Sequence, residues 1–320
     1  MQAETVGMPL NGKRIGLFGK GGAGKSTVTV LLARALRKRG YSVCVLDADS
    51  TNIGLFRIFE IARPPKSLID YFGGMVFSGG VVTCPVDDPM PLAGAKIKLE
   101  TLHPEYYAIS PDGITLLVAG KIGDHGPGAG CDGPVAKVAR DLQISIQGET
   151  PITLVDFKAG FEDTARGVLT SLDWAIVVVD PTTVSVEMAA NMKHMFEQIQ
   201  ADVLPATAHL KSPELIAWAN KIFTEACIED VWFVLNRVQS VEEEEYLRQR
   251  LREKGIEPIG VIHQYPSISH SWLKGTPIKA DEAMFEVQKI LERLEDAFSP
   301  HGSGRIRGYA KSRAWDYYDQ

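Results

Sequence analysis

The sequence predicts an α/β protein with a doubly wound, mostly parallel sheet and helices on both faces. Short apolar runs alternate with longer amphipathic stretches along the chain. The runs are continuous rather than alternating, as expected of strands buried on both faces of a parallel sheet. Strand, helix and strand in this order imply right-handed crossovers. The predicted strands cover residues 14–18, 42–46, 114–118, 152–155, 174–179, 231–235 and 259–262.

The first predicted helix follows the strand at residues 14–18 after a short glycine-rich segment. Its apolar side chains repeat at helical spacing and define one buried stripe, and Gly40 ends the helix as a C-terminal glycine does. That stripe consists of Val28, Leu31, Leu32, Ala35 and Leu36. Residues 64–113 carry many Pro and Gly and are predicted to form a partly irregular insertion. Further helices are expected near residues 213–227, 241–254 and 281–298.

The composition is that of a globular protein, with 320 residues, 45% hydrophobic and 23% charged. We expect one large domain over residues 1–298, followed by a basic and aromatic tail at residues 299–320. The formal net charge of −6 gives no overall electrostatic reason to bind nucleic acid or anionic lipid, so no nucleic-acid partner is expected. The longest strongly apolar stretch, residues 174–179, is too short to span a bilayer, which excludes an integral membrane segment.

The cysteines and the N-terminus favour a cytoplasmic location. Residues 1–15 lack the apolar core of a signal peptide. The four cysteines are widely spaced without a CxxC pair, so the thiols are expected to be free or metal-bound rather than disulfide-linked. Cys44 and Cys227 are interpreted as core residues, and Cys84 as part of the irregular insertion.

Residues 19–26 read GKGGAGKS and match the phosphate-loop pattern GxxxxGK[ST]. Glycine lets the backbone N–H groups turn inward and approach phosphate oxygens, and the following helix N-terminus adds its positive dipole end. Lys25 is expected to reach the β and γ phosphates, and the Ser26 hydroxyl to bind Mg²⁺. The predicted nucleotide contacts of this loop are Gly19, Gly21, Gly22, Ala23, Gly24, Lys25, Ser26 and Thr27.

The same glycines also match the dinucleotide-binding pattern GxGxxG, and Asp47 lies about where such a domain places its ribose-binding acid. Lys25 and Ser26 favour the phosphate loop, because a dinucleotide turn does not need a lysine directly after its last glycine. Asp156, which follows the predicted strand at residues 152–155, agrees with this choice. It is placed as a Walker B aspartate is, to hold Mg²⁺.

With Lys20 at its second position, the loop has the form KGGxGK[ST] and resembles the deviant Walker A motif of the MinD, ParA and nitrogenase-iron-protein class. The resemblance implies an ATPase that binds ATP or ADP with Mg²⁺, hydrolyses ATP slowly and forms a homodimer when ATP is bound. It also implies that Lys20 reaches the partner's nucleotide across the dimer interface, so that Lys20 and Lys25 both act in catalysis.

Further motifs of this class extend the resemblance. Residues 46–49, LDAD, resemble switch I, which implies that Asp49 orients the attacking water, with Asp47 as a supporting acid. Asp49 is also expected to belong to the Mg²⁺ site, together with Ser26 and Asp156. Residues 156–162, DFKAGFE, resemble switch II, which implies that the Gly160 amide contacts the γ-phosphate. Asn236 and Arg237 resemble the residues that contact adenine. A second base-contacting loop is expected at His263, Gln264 and Tyr265, although proline is usual in place of His263.

Within the class, residues 103–120 and 128–134 look like the CooC-like nickel-accessory ATPases of carbon monoxide dehydrogenase, and the similarity runs over roughly residues 12–297. That group carries GEGCxCP, whose two cysteines bind a divalent metal between protomers. This chain reads GAGCDGP, keeping Cys131 but placing Gly133 at the second cysteine. Ni²⁺ or Zn²⁺ at a dimer interface would therefore need other ligands, for which Asp124, His125 and Asp132 are candidates. The alternative is that Cys131 is structural.

Three functions remain compatible with the sequence. The first is the maturation of a client metalloenzyme by metal insertion. The second is a MinD- or ParA-like positioning ATPase, for which the tail at residues 299–320 would have to bind a membrane or DNA. That tail is basic and aromatic but interrupted by glycine, and is expected to be flexible or to dock. The third is a nucleotide-gated regulator of a partner enzyme that carries no metal.

Overall fold

The computed structural model describes residues 8–121, 131–160 and 162–298. The tail predicted at residues 299–320 lies outside these residues, as do Asp124 and His125. The strands are β1 (Arg14–Gly19), β2 (Val43–Ala48), β3 (Lys96–Lys98), β4 (Tyr107–Ile109), β5 (Thr115–Val118), β6 (Gln143–Ser145), β7 (Ile152–Phe157), β8 (Trp174–Val179), β9 (Asp230–Val238) and β10 (Gly260–His263). The helices are α1 (Lys25–Lys38), α2 (Leu55–Ile58), α3 (Leu68–Tyr71), α4 (Gly133–Asp141), α5 (Glu162–Ala165), α6 (Thr183–Gln200), α7 (Pro213–Thr224), α8 (Val241–Arg252), α9 (Pro266–Lys274) and α10 (Asp281–Phe298).

An eight-stranded sheet in the order β10-β9-β8-β1-β7-β2-β5-β4 forms the centre of the protein. Its neighbouring strands pair in parallel except for β4, which runs antiparallel to β5 at one edge. The predicted mostly parallel sheet is therefore confirmed, and each predicted strand is present with a shift of a few residues at its ends. Because β1, β7 and β2 are adjacent and parallel, the segments that follow them meet at one edge of the sheet.

The apolar core lies on both faces of this sheet, which explains the continuous apolar runs in the sequence. Phe18 and Phe157 stack on one face with ring centroids 4.6 Å apart. Ile15 and Leu17 belong to the core of the other face, which α1 and α10 cover. Each of these four side chains is fully buried. Both faces of β1 are therefore covered, and only its carboxyl end leads out of the core.

Three helices of eight or more residues were not predicted: α4, α6 and α9. The missed α6 has 18 residues, of which only a few are buried, so its apolar stripe is too thin to stand out from the sequence. Its start is defined by Thr182, whose hydroxyl accepts a hydrogen bond from the Ser185 backbone N–H. No helix in the described part of the chain is long and apolar enough to cross a membrane.

Residues 64–113 contain short helices and strands joined by irregular segments, and helix α4 anchors this region. The Lys137 ammonium donates to the Asp88 carbonyl oxygen at 2.8 Å. The Arg140 guanidinium donates to the Met90 carbonyl oxygen at 3.2 Å, and the Leu92 N–H donates to the Asp141 carboxylate at 2.7 Å. The insertion also contributes β4 to the main sheet and β3 to a two-stranded sheet with β6. Its backbone polar groups are thus satisfied by charged side chains of a buried helix.

Candidate active site

The glycine-rich loop joins β1 to α1 and requires glycine at two positions for steric reasons. Gly19 has a φ of 145°, and an added Cβ would lie 2.5 Å from the Val178 carbonyl oxygen. Gly24 has a φ of 92°, and an added Cβ would lie 2.2 Å from the Asn236 amide nitrogen. Both positions combine a left-handed backbone with a close neighbour, so any other residue would displace the loop.

Two side chains near the end of β9 donate hydrogen bonds to carbonyl oxygens of the glycine-rich loop. The Asn236 amide donates to the Ala23 carbonyl oxygen at 2.7 Å, and Asn236 is buried. The Arg237 guanidinium donates to the Gly22 carbonyl oxygen at 2.6 Å, from an Arg237 backbone with a φ of 64°. Two predicted adenine contacts therefore support the phosphate loop in this structure. Their contact with the base stays a prediction.

Lys25 is the first residue of α1 and is 7% exposed. Burial lowers its pKa, against the opposing attraction of the Asp156 and Asp49 carboxylates. Its ammonium lies 3.5 Å from the Lys20 carbonyl oxygen. A buried cation at the N-terminus of a helix, close to the loop, has the position and charge needed to bind the phosphates of a nucleotide.

Ser26 and Asp156, two residues of the predicted magnesium site, are in direct contact. The Ser26 hydroxyl donates to the Asp156 carboxylate at 2.6 Å and accepts from the Asn52 amide at 3.0 Å. The Thr29 hydroxyl donates to the second Asp156 oxygen at 3.3 Å. Asp156 is completely buried, and this burial raises its pKa to about 6. Hydroxyl and carboxylate oxygens are hard donors that suit Mg²⁺, so these residues fit the ion that the sequence predicts.

Lys121 is a residue of this site that the sequence did not single out. Its ammonium donates to the Asp47 carboxylate at 2.7 Å, to the Asp49 carbonyl oxygen at 2.6 Å and to the Asn52 carbonyl oxygen. Burial raises the pKa of Asp47 to about 7, although the Lys121 charge opposes this shift. One lysine thus fixes the whole segment after β2. The available signal was topological: Lys121 closely follows β5, the neighbour of β2.

Asp49 and Gly160, the two predicted switch residues, both lie at the carboxyl edge of the sheet. The Asp49 carboxylate accepts from the Thr51 N–H at 2.9 Å and from the Thr51 hydroxyl at 2.7 Å. The Gly160 N–H lies 3.3 Å from the Gly19 carbonyl oxygen, which places switch II against the phosphate loop. Their roles toward water and the γ-phosphate remain predictions.

Lys20 makes its contacts within its own chain. Its ammonium lies 3.1 Å from the Asp180 carboxylate and 3.3 Å from the Thr182 hydroxyl, just after β8. The Lys20 side chain is 29% exposed, so the pair is open to solvent on one side. The Asp180 carboxylate also accepts from the Thr182 hydroxyl at 2.8 Å, so it keeps a hydrogen-bond partner when Lys20 moves away.

The predicted second base-contacting loop follows β10 and leads into α9. His263 binds the Glu286 carboxylate through Nδ1 at 2.6 Å, and the Gln264 N–H donates to the Val238 carbonyl oxygen at 2.8 Å. Burial, together with a hydrogen bond to Glu286, raises the pKa of Tyr265 to about 12. These contacts fix the loop beside β9, and its contact with adenine is untested.

Helix α9 also reaches the phosphate-binding helix. The Trp272 indole N–H donates to the Thr27 hydroxyl at 2.9 Å. Thr27 is buried and lies in the first turn of α1. This link was not visible in the sequence, because it joins residues that are far apart along the chain.

Asp132, one residue after Cys131, connects the two switch segments. Its carboxylate accepts hydrogen bonds from the Ser50 hydroxyl and from the Lys158 ammonium. Ser50 directly follows Asp49, and Lys158 lies in the DFKAGFE segment after Asp156. Asp132 is 8% exposed, so its carboxylate is largely shielded from water, whereas the Lys158 side chain is 29% exposed. Asp132 was predicted as a candidate metal ligand, and here its oxygens already have partners.

Comparison with known proteins agrees with the nucleotide-binding fold and its mostly parallel sheet. Residues 17–278 match the profile of the CobQ/CobB/MinD/ParA nucleotide-binding domain, CbiA. The chain belongs to this family. It is therefore a P-loop ATPase, and the family typically uses ATP or ADP with Mg²⁺.

Two relatives and one solved structure illustrate the similarity. An uncharacterized ATP-binding protein of Methanocaldococcus jannaschii is 32% identical over 188 residues, covering 58% of this chain and 74% of the relative. The carbon monoxide dehydrogenase accessory protein CooC of Rhodospirillum rubrum is 26% identical over 241 residues, covering 72% of this chain and 81% of CooC. The septum site-determining protein MinD of Pyrococcus horikoshii, complexed with Mg-ADP, superposes with a TM-score of 0.57 at 18% identity, covering 88% of this chain and 95% of MinD. The last likeness concerns the fold alone.

Proposed function

We propose that this ATPase is an accessory factor for a client metalloenzyme, to which it delivers a metal ion under the control of its nucleotide state. One observation carries the proposal: Asp132 accepts hydrogen bonds from both Ser50 and Lys158. Cys131, a soft metal ligand, directly precedes Asp132. A change in either switch segment therefore acts on the residue next to this thiol.

The two switch segments are the parts of the site that would respond to the nucleotide. One follows Asp47 and Asp49, and the other follows Asp156, which touches Ser26 at 2.6 Å. Gain or loss of the γ-phosphate changes the charge that these carboxylates face. Because Asp132 is bound to both segments, we infer that the position of Cys131 changes with the nucleotide. The similarity to an accessory protein of carbon monoxide dehydrogenase supports this role.

The hydrolytic chemistry follows from the arrangement of charges. Lys25 and the loop N–H groups would bind the β and γ phosphates, and Ser26, Asp49 and Asp156 would hold Mg²⁺. When bound, Mg²⁺ offsets charge that develops on the phosphate oxygens. Asp49 would orient the attacking water and Gly160 would contact the γ-phosphate. The base would lie against Asn236, Arg237 and the loop of residues 263–265.

Dimerisation would complete the site. Lys20 carries a positive charge that, in one chain, faces Asp180 at 3.1 Å. We propose that ATP brings two copies together and that Lys20 then leaves Asp180 for the partner's phosphates. Hydrolysis would remove the negative charge that holds Lys20 there, and the two chains would separate. Slow turnover suits this use, because the nucleotide acts as a timer for one transfer event.

The test measures metal transfer in each nucleotide state. The protein is loaded with Ni²⁺, and transfer to a chromogenic chelator is followed with Mg·ADP and with a non-hydrolysable Mg·ATP analogue. We expect transfer rates that differ by about tenfold or more between the two states, in the usual range of coupling between sites.

The control variant is Asp132→Asn, which weakens the contacts to Ser50 and Lys158. It is expected to bind nucleotide normally and to transfer Ni²⁺ at one rate in both states. Equal transfer rates in both states of the wild-type protein would contradict the proposed function.

A further inference from the structure

Gly133 lies between two cysteines that are far apart in the sequence. The Gly133 N–H donates to the Cys131 sulfur at 3.2 Å. A Cβ added at Gly133 would lie 2.8 Å from the Cys84 sulfur and 2.6 Å from the Cys84 Cβ. Cys84, from the insertion, therefore fills the space that a side chain of residue 133 would otherwise occupy.

We propose that Cys84 and Cys131 together form a thiol site for a thiophilic divalent ion such as Ni²⁺ or Zn²⁺. Cys84 provides the second thiol that the sequence lacks at position 133. This inference rests on the proposed function, which gives the ion its role as cargo. It differs from the sequence analysis, which offered Asp124, His125 and Asp132 as candidate ligands beside Cys131 and placed Cys84 only in the irregular insertion.

Hydrogen bonds from the insertion to α4 hold Cys84 in its position beside Gly133. The Cys84 carbonyl oxygen accepts from the Asp88 N–H at 2.9 Å, and the Asp88 carbonyl oxygen accepts from the Lys137 ammonium at 2.8 Å. Lys137 belongs to α4, the helix that begins at Gly133. The Cys84 turn is thus tied to α4, and Cys131 lies two residues before this helix begins. Cys84 is buried, whereas Cys131 is partly exposed and gives an ion a way in.

Two thiolates alone do not complete a tetrahedral site. In the parts of the chain that the structure describes, no group of three or more His, Cys, Asp or Glu side chains is placed to hold an ion. The missing ligands would come from a second copy of the chain, in the ATP-bound dimer proposed above. Two chains supply four sulfurs, which suits a soft divalent ion. The expected stoichiometry is one ion for two chains.

The experiment moves the second thiol from position 84 to position 133, whose side chain would occupy the same space. In the variant Cys84→Gly/Gly133→Cys, the added side chain enters the room that Cys84 vacates. Binding of Co²⁺ and Ni²⁺ is measured by thiolate-to-metal absorption and elemental analysis, with a non-hydrolysable Mg·ATP analogue present. The single variants Cys84→Ala and Cys131→Ala are compared with Cys227→Ala, which removes a thiol elsewhere in the fold.

We expect the wild-type protein and Cys227→Ala to bind one ion for two chains. Cys84→Ala and Cys131→Ala should each weaken metal affinity by more than about 100-fold. A loss of this size exceeds that caused by removing a residue that only contacts a metal ligand. The double variant should restore thiolate absorption. Unchanged affinity in Cys84→Ala would overturn the inference, and so would absence of ion binding by the wild-type protein.

The outcomes also separate this inference from the proposed function. Nucleotide-dependent Ni²⁺ transfer that survives in Cys84→Ala would overturn the role of Cys84 and leave the accessory function standing. Tight Ni²⁺ binding through both thiols, with the same rate of Ni²⁺ release in both nucleotide states, would support the site and contradict the accessory function. Light scattering on the same samples reports whether the dimer has formed.

Discussion

At the scale of single residues, the environment of Asp156 makes nucleotide binding depend on pH. Burial raises its pKa to about 6, so the free protein keeps this carboxyl protonated at lower pH. Mg²⁺ needs the ionised carboxylate. Affinity for Mg·ADP should therefore fall as pH decreases below 6, approaching a tenfold loss for each pH unit, and should level off above it.

Calorimetry between pH 5 and 7.5, run in parallel on Asp156→Asn, measures this dependence. The nucleotide titrates equally in both experiments, so the difference between the two proteins isolates the carboxylate. Asp156→Asn should bind more weakly and lose this part of the pH dependence. Asp87→Asn, at an exposed position of the insertion, serves as control and should behave as the wild type does. Identical pH profiles for wild type and Asp156→Asn would contradict the account.

Lys121 gives a second prediction, because one ammonium holds Asp47 and two carbonyl oxygens of the switch I segment. Lys121→Met should lower the ATP hydrolysis rate by about 100-fold through displacement of Asp49, while Mg·ADP affinity changes much less. It should also reduce the free energy of unfolding by about 3 kcal/mol, since Asp47 is left buried without its partner.

The double variant Lys121→Met/Asp47→Asn separates the two effects. Removing the buried charge should recover most of the lost stability, whereas hydrolysis should stay slow because the switch segment remains unanchored. Lys38→Met, at an exposed position of α1, is the matched control. Steady-state hydrolysis and urea unfolding give both quantities. Full activity in the double variant would show that Lys121 does not position the segment.

These residues also mark the limit of what the sequence predicts about the site. Lys25, Ser26 and Asp156 were found because a local motif and the end of a strand identify them. Lys121 and Asp132 were not found in their observed roles. Both act through contacts that depend on which strands are neighbours, and strand order is a property of the fold rather than of a short segment.

At the scale of elements, the strands were easier to predict than the helices. A strand buried on both faces, such as β8, is apolar along its whole length and is visible in any window of the sequence. Helix α6 buries only a narrow stripe of side chains, and the polar residues between them hide its apolar periodicity. Helix α4 is almost completely buried yet contains Lys137, Arg140 and Asp141, whose charges conceal it. Those charges are present because the irregular insertion needs partners for its backbone.

Helix α4 provides a prediction about the insertion. Arg140 and Asp141 form an ion pair with each other, and their side chains are 2% and 0% exposed. Both also bind the backbone of the insertion. Arg140→Ala should therefore cost about 3–5 kcal/mol of unfolding free energy. Amide exchange in the insertion should accelerate more than in the main sheet.

The matched control is Arg250→Ala, whose pair with Glu253 has side chains 38% and 52% exposed. Exposed pairs contribute little, so the control should lose less than about 1 kcal/mol. Thermal or urea unfolding compares the two variants. A loss for Arg140→Ala no larger than for Arg250→Ala would mean that α4 does not anchor the insertion.

At the scale of the whole molecule, the proposed dimer requires Lys20 to reach the nucleotide of a second copy of the chain. Light scattering should detect a doubling of mass with a non-hydrolysable Mg·ATP analogue but not with ADP. Lys20→Ala should abolish this doubling and slow hydrolysis, while Mg·ADP affinity changes by less than about tenfold, because Lys20 faces Asp180 in the single chain. An ATP-dependent dimer that persists in Lys20→Ala would contradict the proposed crossing.

The proposed function depends on one buried cation, Lys25, which would bind a nucleotide at the carboxyl edge of the sheet. Lys25 is 7% exposed, and loss of a buried charge that pairs with phosphate costs about 2–5 kcal/mol. The most direct test is calorimetry of Mg·ATP binding to the wild-type protein and to Lys25→Ala, with Lys38→Ala as the exposed control from the same helix. The account predicts binding to the wild type and to Lys38→Ala, with affinity weakened by about 100-fold or more in Lys25→Ala. Absence of binding to the wild-type protein, or equal affinity in all three proteins, would contradict it.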